Sequence, residues 1–357
     1  MRSLARIPRR RLAVALLALA AAALLGAGPA LARDFTIASW GGAYQDALRK
    51  AYFTPFSQEQ KVKFLEDTYL GGWAQFKAMQ ETGNVPWDLV QVETSELTRG
   101  CEDGLFIPLD YSRVFPKSAF VPGAASKCGI GAIVWTVAVA FNTDKVKSPP
   151  ARQADFFDLK KWPGKRALRK GPKLNLEFAL LADGVQPDDV YKTLKTKAGL
   201  ERAFKKLDTI KAQVQWWEAG AQAPEWLVSG EVTLAMAYSG RVINARKEGK
   251  PLGLIWDHNI YATDSWVIVK GAPNIDTAYA ALKWFSQPEP QVVFSRLFPY
   301  GPTNAKAADL LDAKLLADVP AGANIATALH SGSDDAISFW VDNLEEVTER
   351  WNAWVGK

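Results

Sequence analysis

From residue 35 onward, short apolar runs alternate with longer amphipathic stretches, and their order predicts the architecture. Phe35-Thr36-Ile37-Ala38-Ser39 predicts a short buried strand. Trp40-Gly41-Gly42 turns it into an amphipathic helix over 44–53, which Pro55 ends. A strand over 62–68, a helix over 73–81 and a strand at 87–90 follow, with Thr94 or Ser95 placed to cap the next helix. Strand, helix, strand, helix at this spacing predicts parallel pairing and an α/β fold.

A longer apolar strand over 133–141 ends at Asn142-Thr143-Asp144 and leads into a second α/β region. That region carries strands near 165–169, 214–216, 232–238 and 265–269, helices near 176–181, 188–194 and 201–210, and further helices over 275–295. Helical spacing returns over 338–354. The pattern predicts two lobes with a hinge between them and crossings near 141–145 and 262–267. Lobe 1 takes 33–141 plus about 267–305, and lobe 2 takes 142–266 plus about 306–357. No internal repeat is present. Ligands of open α/β sheets sit beyond the carboxyl ends of strands. The positions to watch are therefore Trp40-Gly41-Gly42, 91–95, Tyr238-Ser239-Gly240-Arg241, Asp264 and Tyr300-Gly301-Pro302-Thr303. They are aromatic, glycine-rich and charged with both signs.

Charge changes this picture once residues 1–32 are set aside. The chain has 43 Lys and Arg against 38 Asp and Glu, and five arginines with no acid fall within 1–32. The remainder is balanced, so a polycation reading fails. Residues 1–32 predict a signal peptide: a basic start, an apolar stretch over 12–25, and small residues in Ala30-Leu31-Ala32. Arg9-Arg10-Arg11 leaves twin-arginine export as the alternative to the general secretory route. The product is expected to be exported to the periplasm. In an oxidising compartment Cys101 and Cys128 read as a disulfide rather than a metal-binding or reactive pair.

Catalytic signatures are wanting. The two histidines, His258 and His330, cannot make a multi-histidine metal site, and there is no phosphate-binding or dinucleotide glycine loop. Ser239 lacks the glycine two residues earlier that a nucleophile elbow needs. A glycosidase carboxylate pair stays open, since any 38 acids contain pairs. The basic run 160–173 reads as solvated surface, and export argues against nucleic acid as a partner. Trp87, Trp135 and Trp284 read as packing, and Trp40 as a ligand contact.

Ser39-Trp40-Gly41-Gly42, Trp87-Asp88-Leu89-Val90, Asn142-Thr143-Asp144, Ser229-Gly230-Glu231-Val232, Asp264-Ser265 and Tyr300-Gly301-Pro302-Thr303-Asn304 together resemble the periplasmic solute-binding proteins of ABC importers, in particular the spermidine/putrescine-binding type. The resemblance implies a two-lobe periplasmic-binding-protein fold, no enzymatic activity, no cofactor or metal, and a monomer that delivers a small-molecule ligand to a membrane permease. It places Trp40, Tyr238, Asp264 and Tyr300 on ligand positions, with Glu93 and Ser95 near another. Two departures argue against a polyamine. Ala262 stands where that type carries an aromatic, and 171–174 has no acid but includes Lys173. Arg241 adds a cation to the pocket segment, which repels a dication and suits a carboxylate. The expected ligand is a zwitterion such as 4-aminobutyrate, with Asp264 on the ammonium, Arg241 on the carboxylate and the aromatics on the carbon chain. A polyamine is the alternative, and Arg241 and Asp264 neutralising each other is the bland one.

Overall fold

The computed structural model describes residues 33–69 and 71–356; the expected signal peptide lies outside them. Nine strands form one mixed sheet: β1 (Phe35–Ser39), β2 (Phe64–Thr68), β3 (Leu89–Val92), β4 (Gly129–Asn142), β5 (Arg166–Arg169), β6 (Val214–Trp217), β7 (Leu234–Tyr238), β8 (Leu252–Ile268) and β9 (Leu329–His330). Their order is β2-β1-β3-β8-β4-β7-β5-β6, with β9 against β8. β1 pairs in parallel with β2 and β3, and β5 in parallel with β6 and β7. Between these groups run β8 and β4, antiparallel to each other and to the neighbours β3 and β7. β1 and β3 are buried at every position, as a parallel sheet covered on both faces requires, whereas the edge strand β2 is largely accessible.

Strand direction locates the site. Val92, at the end of β3, pairs with Ser265, and Tyr238, at the end of β7, pairs with Val137. β3 and β7 run in opposite senses, so the two parallel groups turn their carboxyl ends toward each other. They meet across 131–137 of β4 and 260–265 of β8. Two sets of strand ends, each suited to ligand contacts, face one another there.

Three features differ from the sequence pattern, the simplest being that Glu93, not Thr94 or Ser95, caps the helix Thr94–Glu102, in a capping box with Glu96. β8 begins at Leu252 rather than near 265, because residues 256–259 bulge out of its ladder with β4: Val137 pairs with Ile260, and Val139 with Ile255. His258 takes a left-handed φ of 45° in the bulge. The Asn259 amide donates to the carbonyls of Trp256 (2.6 Å) and Asn324 (2.7 Å), and its oxygen accepts from the Thr136 hydroxyl (2.5 Å). Those polar residues break the apolar pattern, so the strand is not legible as one element. The helix after β1 begins at Gly42 and does not stop at Pro55. It passes through a π-helical turn at Arg49–Phe53 and continues as Thr54–Gln60, with the proline in the first turn of that last segment. The widened turn there loosens the ladder of hydrogen bonds that an interior proline would otherwise break.

Four helices bear on the site: α1 (Thr94–Glu102), α2 (Asn175–Ala182), α3 (Ser239–Lys247) and α4 (Asp334–Val355). α2 is buried all round, and α4 buries Phe339, Trp340, Val347 and Trp351 at helical spacing. No described helix is long and apolar enough to cross a membrane.

Cys101, in the last turn of α1, is bonded to Cys128, the residue before β4, with a Cα–Cα distance of 5.7 Å. The bond ties the helix that carries Glu93 and Ser95 at its start to the strand that carries Trp135. Replacing both cysteines with alanine should lower the unfolding free energy by roughly 3–4 kcal/mol, as expected for freeing a loop of this length. Urea denaturation of the oxidised protein and the double variant measures it, and superimposable curves would show that the bond contributes nothing.

Candidate ligand-binding site

At the end of β1 the chain must reverse from strand to helix within two residues. Gly41 (φ 66°) and Gly42 (φ 60°) do this in a left-handed conformation that side chains resist. The turn leaves Trp40 half-buried, tilted on Tyr69 at 5.4 Å between ring centroids, with its indole edge toward β8. There its Nε1 donates to Asp264 Oδ2 at 2.7 Å, and Trp135 Nε1, from β4, donates to Asp264 Oδ1 at 2.7 Å. The Gln91 amide lies 3.5 Å from Oδ2 and is itself held by the Tyr44 hydroxyl at 2.6 Å.

Asp264 is only 4% exposed, and among the described residues no cation stands within ion-pair distance of it. Burial pushes its carboxyl well above the ordinary aspartate range, the nearby Glu93 adds to this, and the two indole donors oppose it. A buried carboxylate with donors but no counter-charge is costly unless a cation arrives.

Tyr238 ends β7 and stands edge-on to Trp135 and Trp217, each at 5.5 Å. Burial holds its phenol up at about 12, against the pull of Arg169 and Arg241. Arg241 follows in the first turn of α3, its guanidinium 5.5 Å from the centre of the Phe298 ring. It makes no hydrogen bond or ion pair with any described residue. In particular it is not paired with Asp264, so the two charges do not cancel by direct contact. Tyr300 closes the group: its ring packs on Gly240, where a Cβ would lie 2.5 Å from a ring carbon, and Arg241 opposes the rise that burial imposes on its phenol. The hydroxyls of Ser239 and Thr263, each next in sequence to a site residue, are buried without a partner.

Glu93 and Ser95 stand at the start of α1, below the carboxyl end of β3. Glu93 faces Arg169 at 4.0 Å. Both line a cavity of about 810 Å³ that also touches Trp135, Arg169, Lys173 and Trp340. Trp40, Tyr238, Arg241, Asp264 and Tyr300 do not line this cavity; they form the adjoining cluster, with Trp135 common to both. Among the described residues no group of acids, histidines and cysteines could hold a metal ion.

Of the residues named from the sequence, the structure brings Asp264, Trp40, Tyr238, Arg241 and Tyr300 together with Gln91 of the 91–95 window, and it adds Trp135 and Arg169, which sequence reasoning did not single out. Trp135 reads as packing in an apolar strand, and only its pairing with Ala262 across β4 and β8 sets the indole beside Asp264. The basic run 160–173 is not uniformly solvated. Arg166 is fully buried and donates to the carbonyls of Phe156, Trp162, Gly164 and Asp158, while burial lowers its guanidinium to about 10. Arg169, at the end of β5, looks into the cavity.

Comparison with known proteins identifies the family. Residues 51–327 match the family described as bacterial extracellular solute-binding protein. A gamma-aminobutyric acid-binding protein of Pseudomonas aeruginosa is 43% identical over 336 residues, covering 94% of each chain. A spermidine/putrescine-binding periplasmic protein of Escherichia coli is 23% identical over 274 residues, covering 74% of this chain and 76% of its own. Among solved structures, an ABC transporter substrate-binding protein from Bradyrhizobium japonicum superimposes with a TM-score of 0.82 at 32% identity, covering 90% of this chain and 99% of its own.

Proposed function

The chain belongs to the bacterial extracellular solute-binding proteins, a family of transport receptors rather than enzymes, and on that footing we propose that it is the periplasmic receptor through which an ABC importer takes up 4-aminobutyrate or a closely similar ω-amino acid. One observation carries the ligand. A buried carboxylate without a cation, Asp264, and a guanidinium without an acceptor, Arg241, stand in one aromatic cluster. A zwitterion supplies both missing partners.

The chemistry follows from the residues. The ammonium sits on Asp264 between the Trp40 and Trp135 indoles, which keep the carboxylate oriented and offer ring faces to the cation. The carboxylate takes the two-pronged guanidinium of Arg241, and Tyr238 and Tyr300 cover the methylene chain. Glu93 and Ser95, after β3, line the adjoining cavity beside Trp135. A diamine leaves Arg241 unmatched and adds a like charge beside it.

Ligand capture needs motion of one half of the molecule against the other. The division 33–141 plus about 267–305 against 142–266 plus about 306–357 is our proposal for the moving lobes. The change of pairing between Val137 and Val139 interrupts the β4–β8 ladder close to the first crossing near 141–145, which supports a hinge there; the bulge at 256–259 opposite it falls within lobe 2. A monomer closed on its ligand then presents its rim to the membrane permease.

Calorimetry on the exported protein tests the ligand. 4-Aminobutyrate should bind, and at a hundredfold excess over its dissociation constant should raise stability by about 2.7 kcal/mol. Putrescine should bind far more weakly. The 23% identical relative named for spermidine and putrescine favours the second reading, a polyamine receptor. Tight putrescine binding with indifference to every carboxylate would establish that reading and end ours.

A further inference from the structure

The cavity beside the proposed zwitterion site is larger than a short ligand needs. Its volume of about 810 Å³ lies within the range that encloses a drug-sized molecule, roughly 300–1,000 Å³. It runs from Trp135 and Arg169 to the inner face of α4, where Ile337, Trp340 and Val341 form an apolar wall. Ala262, paired with Trp135 across β4 and β8, lines it beside that indole, which also reaches Asp264.

The lining carries more acids than bases, Glu102, Asp103 and Glu345 at its outer part among them, and its charged groups are not all matched. Glu96 is engaged: one carboxylate oxygen accepts from the Tyr69 hydroxyl at 2.6 Å and from the Gly72 amide at 2.9 Å. Glu93 and Arg169 face each other at 4.0 Å. Lys173 is different. Its ammonium lies 5.6 Å from the centre of the Trp340 ring and makes no hydrogen bond or ion pair with any described residue. Below it, Glu177 is 1% exposed. Its Oε1 accepts from the Trp340 indole at 2.8 Å and the Tyr191 hydroxyl at 3.2 Å, while its Oε2 is buried without a partner. Burial pushes this carboxyl up, and the nearby Lys173 opposes that rise. The Lys173 ammonium is thus a donor at the cavity without an acceptor among the described residues.

We propose that Lys173 forms a second subsite, which takes an acidic group carried on an extension of the ligand's amine, so that the preferred ligands are ω-amino acids bearing a second carboxylate on an N-linked chain. This rests on the zwitterion reading of the adjoining cluster. The apolar wall of α4 covers the linking methylenes, and the Lys173 ammonium receives the terminal oxygens. The carboxylate of the parent amino acid stays on Arg241.

Calorimetry with a series of N-carboxyalkyl derivatives of 4-aminobutyrate, of increasing linker length, tests the subsite. N-alkyl compounds of equal length are the controls. One member of the series should bind the native protein at least about tenfold tighter than its N-alkyl control, the effect of one charge-assisted hydrogen bond. Lys173→Met should remove that advantage and leave 4-aminobutyrate within about twofold, because the two sites share no contact through Lys173. Lys173→Gln, with thermal melts of both variants, provides a folded reference if the methionine variant is unstable. An acidic tail no better than the alkyl control, or an advantage that survives both substitutions, overturns the subsite while 4-aminobutyrate binding leaves the parent reading intact. Failure of 4-aminobutyrate and the entire series on the native protein overturns both.

Discussion

Asp264→Asn should cost the protein its ligand. Removing one partner of a buried, hydrogen-bonded charge pair weakens binding by about 2–5 kcal/mol, or roughly thirtyfold to several thousandfold. Both 4-aminobutyrate and putrescine should suffer, because each brings an ammonium to the same carboxylate. The indoles of Trp40 and Trp135 add to the effect, since each now donates to a carboxylate oxygen, and an amide offers only one acceptor to the pair. Calorimetry on the variant with both ligands measures the loss, and unchanged affinity for both would place the ammonium elsewhere.

A pH signature accompanies that result. The carboxyl of Asp264 titrates well above its ordinary value in the empty protein, chiefly through burial. The unliganded fold is therefore favoured by a protonated Asp264, and that contribution is lost as pH rises through the raised value. An ammonium prefers the ionised form. Between the ordinary aspartate range and the raised value, binding should release a proton, and affinity should rise with pH until the empty protein is itself ionised. Titrations in two buffers of different ionisation enthalpy should give different apparent heats with the native protein and equal heats with Asp264→Asn.

Arg241→Ala should divide the ligands by class. A zwitterion loses its carboxylate partner and should bind about ten- to a hundredfold more weakly or worse, the worth of hydrogen bonds to a charged group at about 1.5–3 kcal/mol each. Putrescine should bind no more weakly than before and gains if repulsion from the guanidinium matters. Arg241→Lys should fall between, because an ammonium keeps the charge but not the planar fork that meets both carboxylate oxygens. The side chain is not an ion-pair partner of Asp264, so the alanine variant should leave that carboxylate's indole contacts in place. The Tyr238 phenol, which Arg241 helps to hold at about 12, should move further up, and its ultraviolet titration reads that shift without any ligand. Equal weakening of zwitterion and diamine would mean that Arg241 supports the fold of the pocket rather than selecting its ligand.

Much of this molecule is written locally. The parallel strand-helix order, the double glycine after Trp40 and the positions of Trp40 and Tyr238 at strand ends follow from apolar spacing and turn residues, which act over a few neighbouring positions, whereas Asp264 stands inside β8 and Tyr300 follows a helix. The pairing of Cys101 with Cys128 follows from their number and the exported setting. What depends on contacts far apart in sequence was legible only in the fold. The bulge at 256–259 exists because four residues of β8 stand against a single step of β4, and neither strand shows this alone. Trp135 looks like any core residue of an apolar strand until antiparallel pairing lays it across from Ala262 and beside Asp264. Arg166, Arg169 and Lys173 share one basic run, yet one is buried among carbonyls, one faces Glu93, and one stands in a cavity under Trp340. Charge is a property of the residue, but whether water, a backbone oxygen or a ligand satisfies it depends on what the tertiary structure packs above it.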